Sequence, residues 1–323
     1  MIRKLDVGED SWTMRLDVIL PTFNRQELLK RALESLCRSP RPPDLEVKIT
    51  VVDNNSKDDT KMVVQSAIEE FGGLVAYEFE GQPGKSFALN RGVSSTTGEL
   101  LGFIDDDEEI DPSWYSRVYQ AFSDTTIDFI GGPYIPRWEI DPPKWLPMDY
   151  LGVIGWVDSG PEVKPYRKDF PGILMGGNAV IRRTVLERVG PYATHLGPKG
   201  SLLLRGEDDD MYHRLLDTGA QGLYLPDLVI YHYVPAERLT KKYFRRWCFW
   251  RGAGMGAFDK DHQQPVPYLM GVPRWLYGRA ARGVVARLKA LVGGGRNPAQ
   301  NFSHELAVWD LAGFFYGKHF RTS

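Results

Sequence analysis

Cysteine is scarce in this chain. Only Cys37 and Cys248 occur in 323 residues, far apart and without metal-type spacing, so neither a disulfide framework nor a cysteine-based zinc module organises the fold. Long apolar runs are missing too: none reaches the roughly 18 to 20 residues that a membrane-crossing helix needs. No apolar segment of signal-peptide type follows the N-terminal MIRKLDVGEDSWTMRLDV, so the expected address is a reducing cytoplasm. Internal repeats and low-complexity tracts are absent, which excludes solenoids and disordered arrays. What is present is ample for a core, since 42% of the residues are apolar, enough for one large domain or two ordinary ones.

Charge is segregated along the chain. The formal net charge of −2 combines an acidic body, residues 1–237 with 25 Lys and Arg against 38 Asp and Glu, with a basic extension, residues 238–323 with 15 against 4. The first 130 or so residues alternate short apolar runs with amphipathic stretches, the pattern of a parallel α/β sheet. RLDVILP reads as the first strand, and Leu28, Leu29, Ala32, Leu33 and Leu36 mark one face of the helix that follows. VKITVVD and LVAYEFE read as the next strands, separated by a helix capped from Ser56, Asp58 or Asp59. GKSFALNRGVSSTTG supplies a short helix, ELLGFID another strand, and a further helix starts near Pro112. Beyond Gly131 the pattern loosens, until GILMGGNAVIRRTVLERVG, RGEDDDMYHRLLDTGA and the strand pair GLYLPDLVIYHYV.

Five consecutive acids, Asp105 to Glu109, close the strand LLGFI. In open α/β sheets that carboxyl edge is where ligands bind, and two carboxylates flanking one residue, Asp105 and Asp107, can approach one hard cation that shares its remaining sites with phosphate oxygens. The bland reading is a solvated loop, against which stands the apolar strand it abuts. GQPGKS, Gly81 to Ser86, resembles the end of a phosphate-binding P-loop, but that loop needs a glycine where Phe79 stands. GAGMGA, Gly252 to Ala257, formally fits a dinucleotide fingerprint but lacks the preceding strand.

Taken in order, VILPTFNR, VVDNNSKDDT, GKSFALNRGV, FIDDDEEIDPSW, GGNAVIRRTVLERVG and GEDDDMYHRLLDTG resemble the family 2 glycosyltransferases of the GT-A fold over roughly residues 15–250. The resemblance implies a Rossmann-like α/β fold, a mixed, mainly parallel sheet flanked by helices, here with a basic helical C-terminal extension. It implies a nucleotide-diphospho-sugar donor, with UDP the commonest nucleotide, and Mg²⁺ or Mn²⁺. Pro21, Thr22, Asn24 and Arg25 would contact the nucleotide, and Asp53, with Asn55 beside it, would accept a hydrogen bond from the base. Lys85 and Asn90 would line the sugar or ribose-phosphate region together with Asp105 and Asp106, and Gly177 and Asn178 would shape the sugar and acceptor site. Asp105 and Asp107 match the family's DXD motif, with His232 a further metal ligand. Asp208, or next to it Glu207, would deprotonate the acceptor hydroxyl in an inverting displacement, although acids also simply favour a helix N-terminus.

A nucleotidyltransferase has a similar core but no use for that base. A P-loop-like NTPase and a catalytically silent binding module also compete with the glycosyltransferase reading. In the tail, RLTKKYFRRWCFWRGAG is basic and aromatic, and RWLYGRAARGVVARLKALV sets Leu276, Ala280, Val284 and Leu288 at four-residue spacing. Such a surface suits peripheral contact with the anionic inner face of the cytoplasmic membrane and a glycan or lipid-linked acceptor, against the plainer reading of a packing helix with a solvated basic face. The acidic body argues against nucleic acid.

Overall fold

The run MRLDVILPT is buried at every position except Arg15, as a strand paired on both edges and covered on both faces must be. It is β1 (Met14–Thr22) in a computed structural model that describes residues 13–197, 206–260, 263–293 and 297–320. The chain continues through α1 (Gln26–Arg38), β2 (Leu45–Asp53), α2 (Thr60–Phe71), β3 (Val75–Phe79), α3 (Lys85–Ser94), β4 (Leu100–Phe103), β5 (Glu108–Ile110) and α4 (Trp114–Phe122). Next come β6 (Phe129–Gly131), β7 (Tyr134–Trp138), β8 (Lys164–Tyr166), β9 (Ala179–Arg182), α5 (Arg183–Val189), α6 (Glu207–Asp217), β10 (Gly222–Tyr224) and β11 (Ile230–Val234). The extension holds α7 (Lys241–Phe258), β12 (Tyr268–Leu269), β13 (Val272–Pro273), α8 (Arg274–Gly293) and α9 (Pro298–His319).

Eight strands form the main sheet in the order β3-β2-β1-β4-β9-β6-β10-β8. The pairs among β3, β2, β1 and β4 are parallel, as is β6 with β10, whereas β9 runs antiparallel to both its neighbours and β8 to β10. Alternation along β1 divides the core: Val18 and Leu20 pack with α1 residues Leu29, Leu33 and Leu36, while Ile19 faces Ala88 and Leu89 of α3 and Leu101 of β4. The parallel strands therefore end together, and β1 and β4 bring Thr22 and Asp105 to one rim. β3 lies at the sheet edge, so the GQPGKS segment lacks the central strand of a P-loop.

The strand pair expected in GLYLPDLVIYHYV is two strands that do not pair with each other. β10 joins the main sheet, while β11 lies between β5 and β7 in a second, three-stranded sheet. The intervening Pro226 and the turn around it let the chain change sheets, and the change carries His232 opposite Glu108.

α7 and α9 meet through glycine. A methyl group on Gly252, Gly256, Gly313 or Gly317 would stand 2.0–2.3 Å from a backbone carbonyl oxygen of the facing helix, so the GAGMGA sequence serves close helix packing in the C-terminal part of α7. Gly254, on the same helix, has open space at that point. Gly317→Val is expected to cost about 3 kcal/mol in urea unfolding, the upper end for overpacking because backbone is the obstacle. Gly254→Ala should be neutral or stabilise by up to about 1 kcal/mol through helix propensity. The helices join the body through Phe244, Trp247, Cys248, Phe302 and Leu306, packed with Tyr150, Val153, Ile154 and Val234.

Candidate active site

The rim of β1 and β4, the second sheet and the N-terminus of α6 enclose a cavity of about 640 Å³, a volume suited to a small-molecule ligand. Of the residues singled out from sequence, Pro21, Thr22, Asn24, Arg25, Lys85, Asp105, Asp106, Asp107, Gly177, Glu207, Asp208 and His232 line it. Asp53, Asn55, Asn90 and Asn178 are not among its lining. Asp53 is buried, accepting from the Ser56 N–H at 2.8 Å and the Tyr77 hydroxyl at 2.9 Å. Asn55 takes a left-handed φ of 67° in the following turn and accepts from Lys57 Nζ. Asn90 exchanges two hydrogen bonds with the Tyr192 backbone. Asn178 accepts from Trp114 Nε1 and donates to the Leu228 carbonyl. Asn54, rather than Asn55, reaches the lining, with its carbonyl oxygen accepting the Gly84 N–H at 2.7 Å and so fixing the start of α3.

The acidic run spreads over several partners. Asp105 meets Lys85 Nζ at 2.6 Å. Asp106 accepts from the Thr22 hydroxyl at 2.9 Å and from Arg25 at 2.8 Å; burial pushes its carboxyl up to about 6 despite that arginine. Asp107 lies between Arg25 at 3.1 Å and Arg238 at 2.9 Å, with His232 Nε2 at 3.6 Å. Burial pushes the Asp107 carboxyl upward, but His232, Arg238 and Arg25 outweigh it and hold it well below the usual range. Glu108 is 2% exposed, accepts the Asp105 N–H at 2.8 Å and is pushed well up by burial and by the neighbouring Asp105 and Asp107.

Across the cavity, α6 opens with Glu207, Asp208, Asp209 and Asp210 after Gly206, whose φ of 120° is a glycine conformation. Asp210 is held by Arg214 in the turn above. Asp208 Oδ1 is buried and has no hydrogen-bond partner among the described residues, and a methyl on Gly176 would come within 2.2 Å of it. Burial raises the Asp208 carboxyl, Lys85 opposes that and Asp105 adds to it. A helix N-terminus accounts for acids in general; it does not account for a buried, unpartnered carboxylate oxygen facing a cavity.

Other polar lining residues take no role from the sequence: Glu108 sits in the acidic run, Arg238 and Tyr243 belong to the basic extension, and Tyr134 lies outside every motif. The Tyr134 hydroxyl is likewise buried without a partner among the described residues. Arg238 is the first cation of the basic extension, and only the fold brings it to Asp107. No group of three or more His, Cys, Asp or Glu is gathered to hold a metal among the described residues. The oxygen donors a hard divalent cation takes are nevertheless supplied by the Asp105 and Asp107 carboxylates, and His232 Nε2 lies 3.6 Å from Asp107, with the Arg238 guanidinium bonded to both.

The glycosyl transferase family 2 model matches residues 17–190, more than half of the chain. A glucosyl-dolichyl phosphate glucuronosyltransferase of Haloferax volcanii is 23% identical over 257 residues, 78% of this chain and 79% of that one. A GalNAc(5)-diNAcBac-PP-undecaprenol beta-1,3-glucosyltransferase of Campylobacter jejuni is 39% identical over 124 residues, 38% of this chain and 39% of that one. Among solved structures, a mannosyltransferase of Pyrobaculum calidifontis in complex with GDP-Man and Mn²⁺ superposes with a TM-score of 0.62 at 19% identity, covering 99% of this chain and 92% of that one. With the sheet order and the cavity at its carboxyl edge, these matches identify the chain as a member of glycosyl transferase family 2 with the GT-A fold, and hence as a glycosyltransferase.

Proposed function

We propose that the protein moves a sugar from a nucleotide-diphospho-sugar to an acceptor hydroxyl in one inverting, metal-dependent displacement, with Asp208 as the base. The observation that carries this reading is the buried Asp208 Oδ1, without a hydrogen-bond partner among the described residues, across the same cavity as Lys85 and Asp105–Asp107. A neutral hydroxyl is a poor nucleophile, and a carboxylate with an open lone pair can take its proton as the new bond forms. Its elevated affinity for protons suits it to that task.

Thr22, Asn24 and Arg25 hold the nucleotide side, and Lys85 and Arg25 place positive charge beside the diphosphate. Asp105, Asp107 and His232 would hold Mg²⁺ or Mn²⁺, which when bound stabilises charge developing on the leaving diphosphate. The extension contributes Arg238 and Tyr243 to the same cavity. The Haloferax and Campylobacter relatives both carry a polyprenyl group in their names, which supports a lipid-linked acceptor over a free sugar.

The test is thermal stabilisation of the purified protein by UDP, GDP, dTDP and ATP, each with and without Mn²⁺, since a ligand of the native state raises the midpoint by mass action. A nucleoside diphosphate is expected to shift the midpoint only with the metal, and Asp107→Ala to abolish the shift. A shift with ATP alone, or with no nucleotide, would overturn the donor-site assignment.

A further inference from the structure

We infer that the outward face of α8, with the β12–β13 hairpin before it, docks on a lipid surface carrying anionic headgroups. This surface lies outside the cavity, and the inference is independent of the proposed transfer reaction.

α8 presents more apolar surface than its packing uses. Leu276 and Ala280 of the expected stripe are buried, but Val284 is 46% and Leu288 58% exposed, with Val285 at 50%. Gly283 takes the place of Val284 on the packed side, where a methyl would come within 2.6 Å of the His304 carbonyl of α9. Rotation of the contact stripe from 284 to 283 turns Val284, Val285 and Leu288 outward. At the other end of the helix Trp275 is 42% exposed, and the hairpin leading into it carries Leu269 at 53% and Met270 at 69%. Met270 adopts a left-handed φ of 49°, a conformation that costs a side-chain-bearing residue free energy. The turn thus places a large apolar side chain at its tip where glycine would be easier.

Charge selects the occupant. No acidic residue occurs between residues 262 and 304, while Arg274, Arg282 and Lys289 are exposed on α8. Among the described residues the acids of the extension are already matched: Glu305 by Arg245 and Arg287, Asp310 by Arg251 and Arg279, and Asp259 by Lys318. Arg282, Val285 and Lys289 follow one another at three- and four-residue spacing, so cations and apolar groups share one side of the helix. A protein interface gathers its apolar residues in a centre with charge at the rim; this mixed strip instead matches a helix lying in the headgroup layer, with apolar groups at the acyl boundary and cations on phosphate. No helix among the described residues is long and apolar enough to cross a membrane, so the contact lies on the surface.

Co-sedimentation of the full chain with phosphatidylcholine vesicles, with and without phosphatidylglycerol, tests this. The protein is expected to bind only the anionic vesicles and to be released by salt. Exposed Val285→Glu/Leu288→Glu should abolish binding, and Arg282→Gln/Lys289→Gln should weaken it about 30-fold, each lost cation removing a phosphate contact. An unchanged unfolding midpoint in both variants shows that the loss is not unfolding. No binding to anionic vesicles, or equal binding by the wild type and the Val285→Glu/Leu288→Glu variant, would overturn the inference. So would a wild-type dimer in sedimentation velocity that the same variant converts to monomer, because the face would then belong to a second copy of this chain.

Discussion

Asp208→Asn is expected to lower kcat by about 10² to 10⁴, the contribution of a positioned general base, while leaving the KM for the donor nearly unchanged. The substitution keeps size and shape at a buried site and removes the carboxylate charge together with its capacity to accept a proton. Among the described residues Oδ1 makes no hydrogen bond that the amide would lose. The nucleotide-dependent midpoint shift should therefore survive, which separates a failed base from a collapsed site. Glu207→Gln is the companion measurement: Glu207 also lines the cavity and is 6% exposed. Loss of turnover in Glu207→Gln with retention in Asp208→Asn would move the base to Glu207.

The pH profile gives an independent reading of the same carboxyl. Burial raises Asp208 above its ordinary 3.8, with Lys85 partly offsetting the rise. A base works deprotonated, so kcat should climb with pH along a limb displaced above the ordinary aspartate range. Lys85→Met removes the opposing charge, and the limb should then move further up in pH. A limb that stayed fixed in Lys85→Met would show that another group controls it.

The parallel half of the sheet is legible in the sequence because β1 to β4 are short runs rich in apolar and β-branched residues separated by amphipathic helices, and the acids sit at a strand end by their position alone. Local pattern also exposes the α6 start, where four acids follow a glycine. It does not reveal which polar residues are consumed by the scaffold. Asn90 and Asn178 look available in their motifs, yet each is spent on backbone or indole partners distant in sequence, Tyr192 for Asn90 and Leu228, Pro133 and Trp114 for Asn178. Nor does it reveal Arg238, whose bond to Asp107 spans 131 residues and depends on β11 leaving the main sheet. The α8 stripe fails for a related reason: apolar spacing specifies a face, but the close approach at Gly283 decides which face is packed.

Asp107→Asn should destabilise the protein by about 3 kcal/mol at neutral pH, the lower end for breaking a buried ion pair. Asp107 is 7% exposed and lies between Arg25 and Arg238, so an amide leaves the two guanidinium charges without their central counter-ion. Asp106 limits the damage. Burial, the opposing Arg25 and the Asp107 charge together place its carboxyl near 6; without the Asp107 charge it ionises more readily and strengthens its own bond to Arg25. The pH dependence has a definite sign. Because the folded state depresses the Asp107 carboxyl below 3.8, its stabilisation is present above that value and is lost as pH falls through the depressed folded pKa. The gap between wild type and Asp107→Asn in urea unfolding should accordingly be widest near neutrality and start to narrow below about pH 4, where the carboxyl of the unfolded chain takes up its proton, closing as pH falls through the depressed folded pKa. A gap that stayed constant into acid would mean that the variant loses packing rather than charge, and that Arg25 and Arg238 do not depend on Asp107 for their place in the cavity.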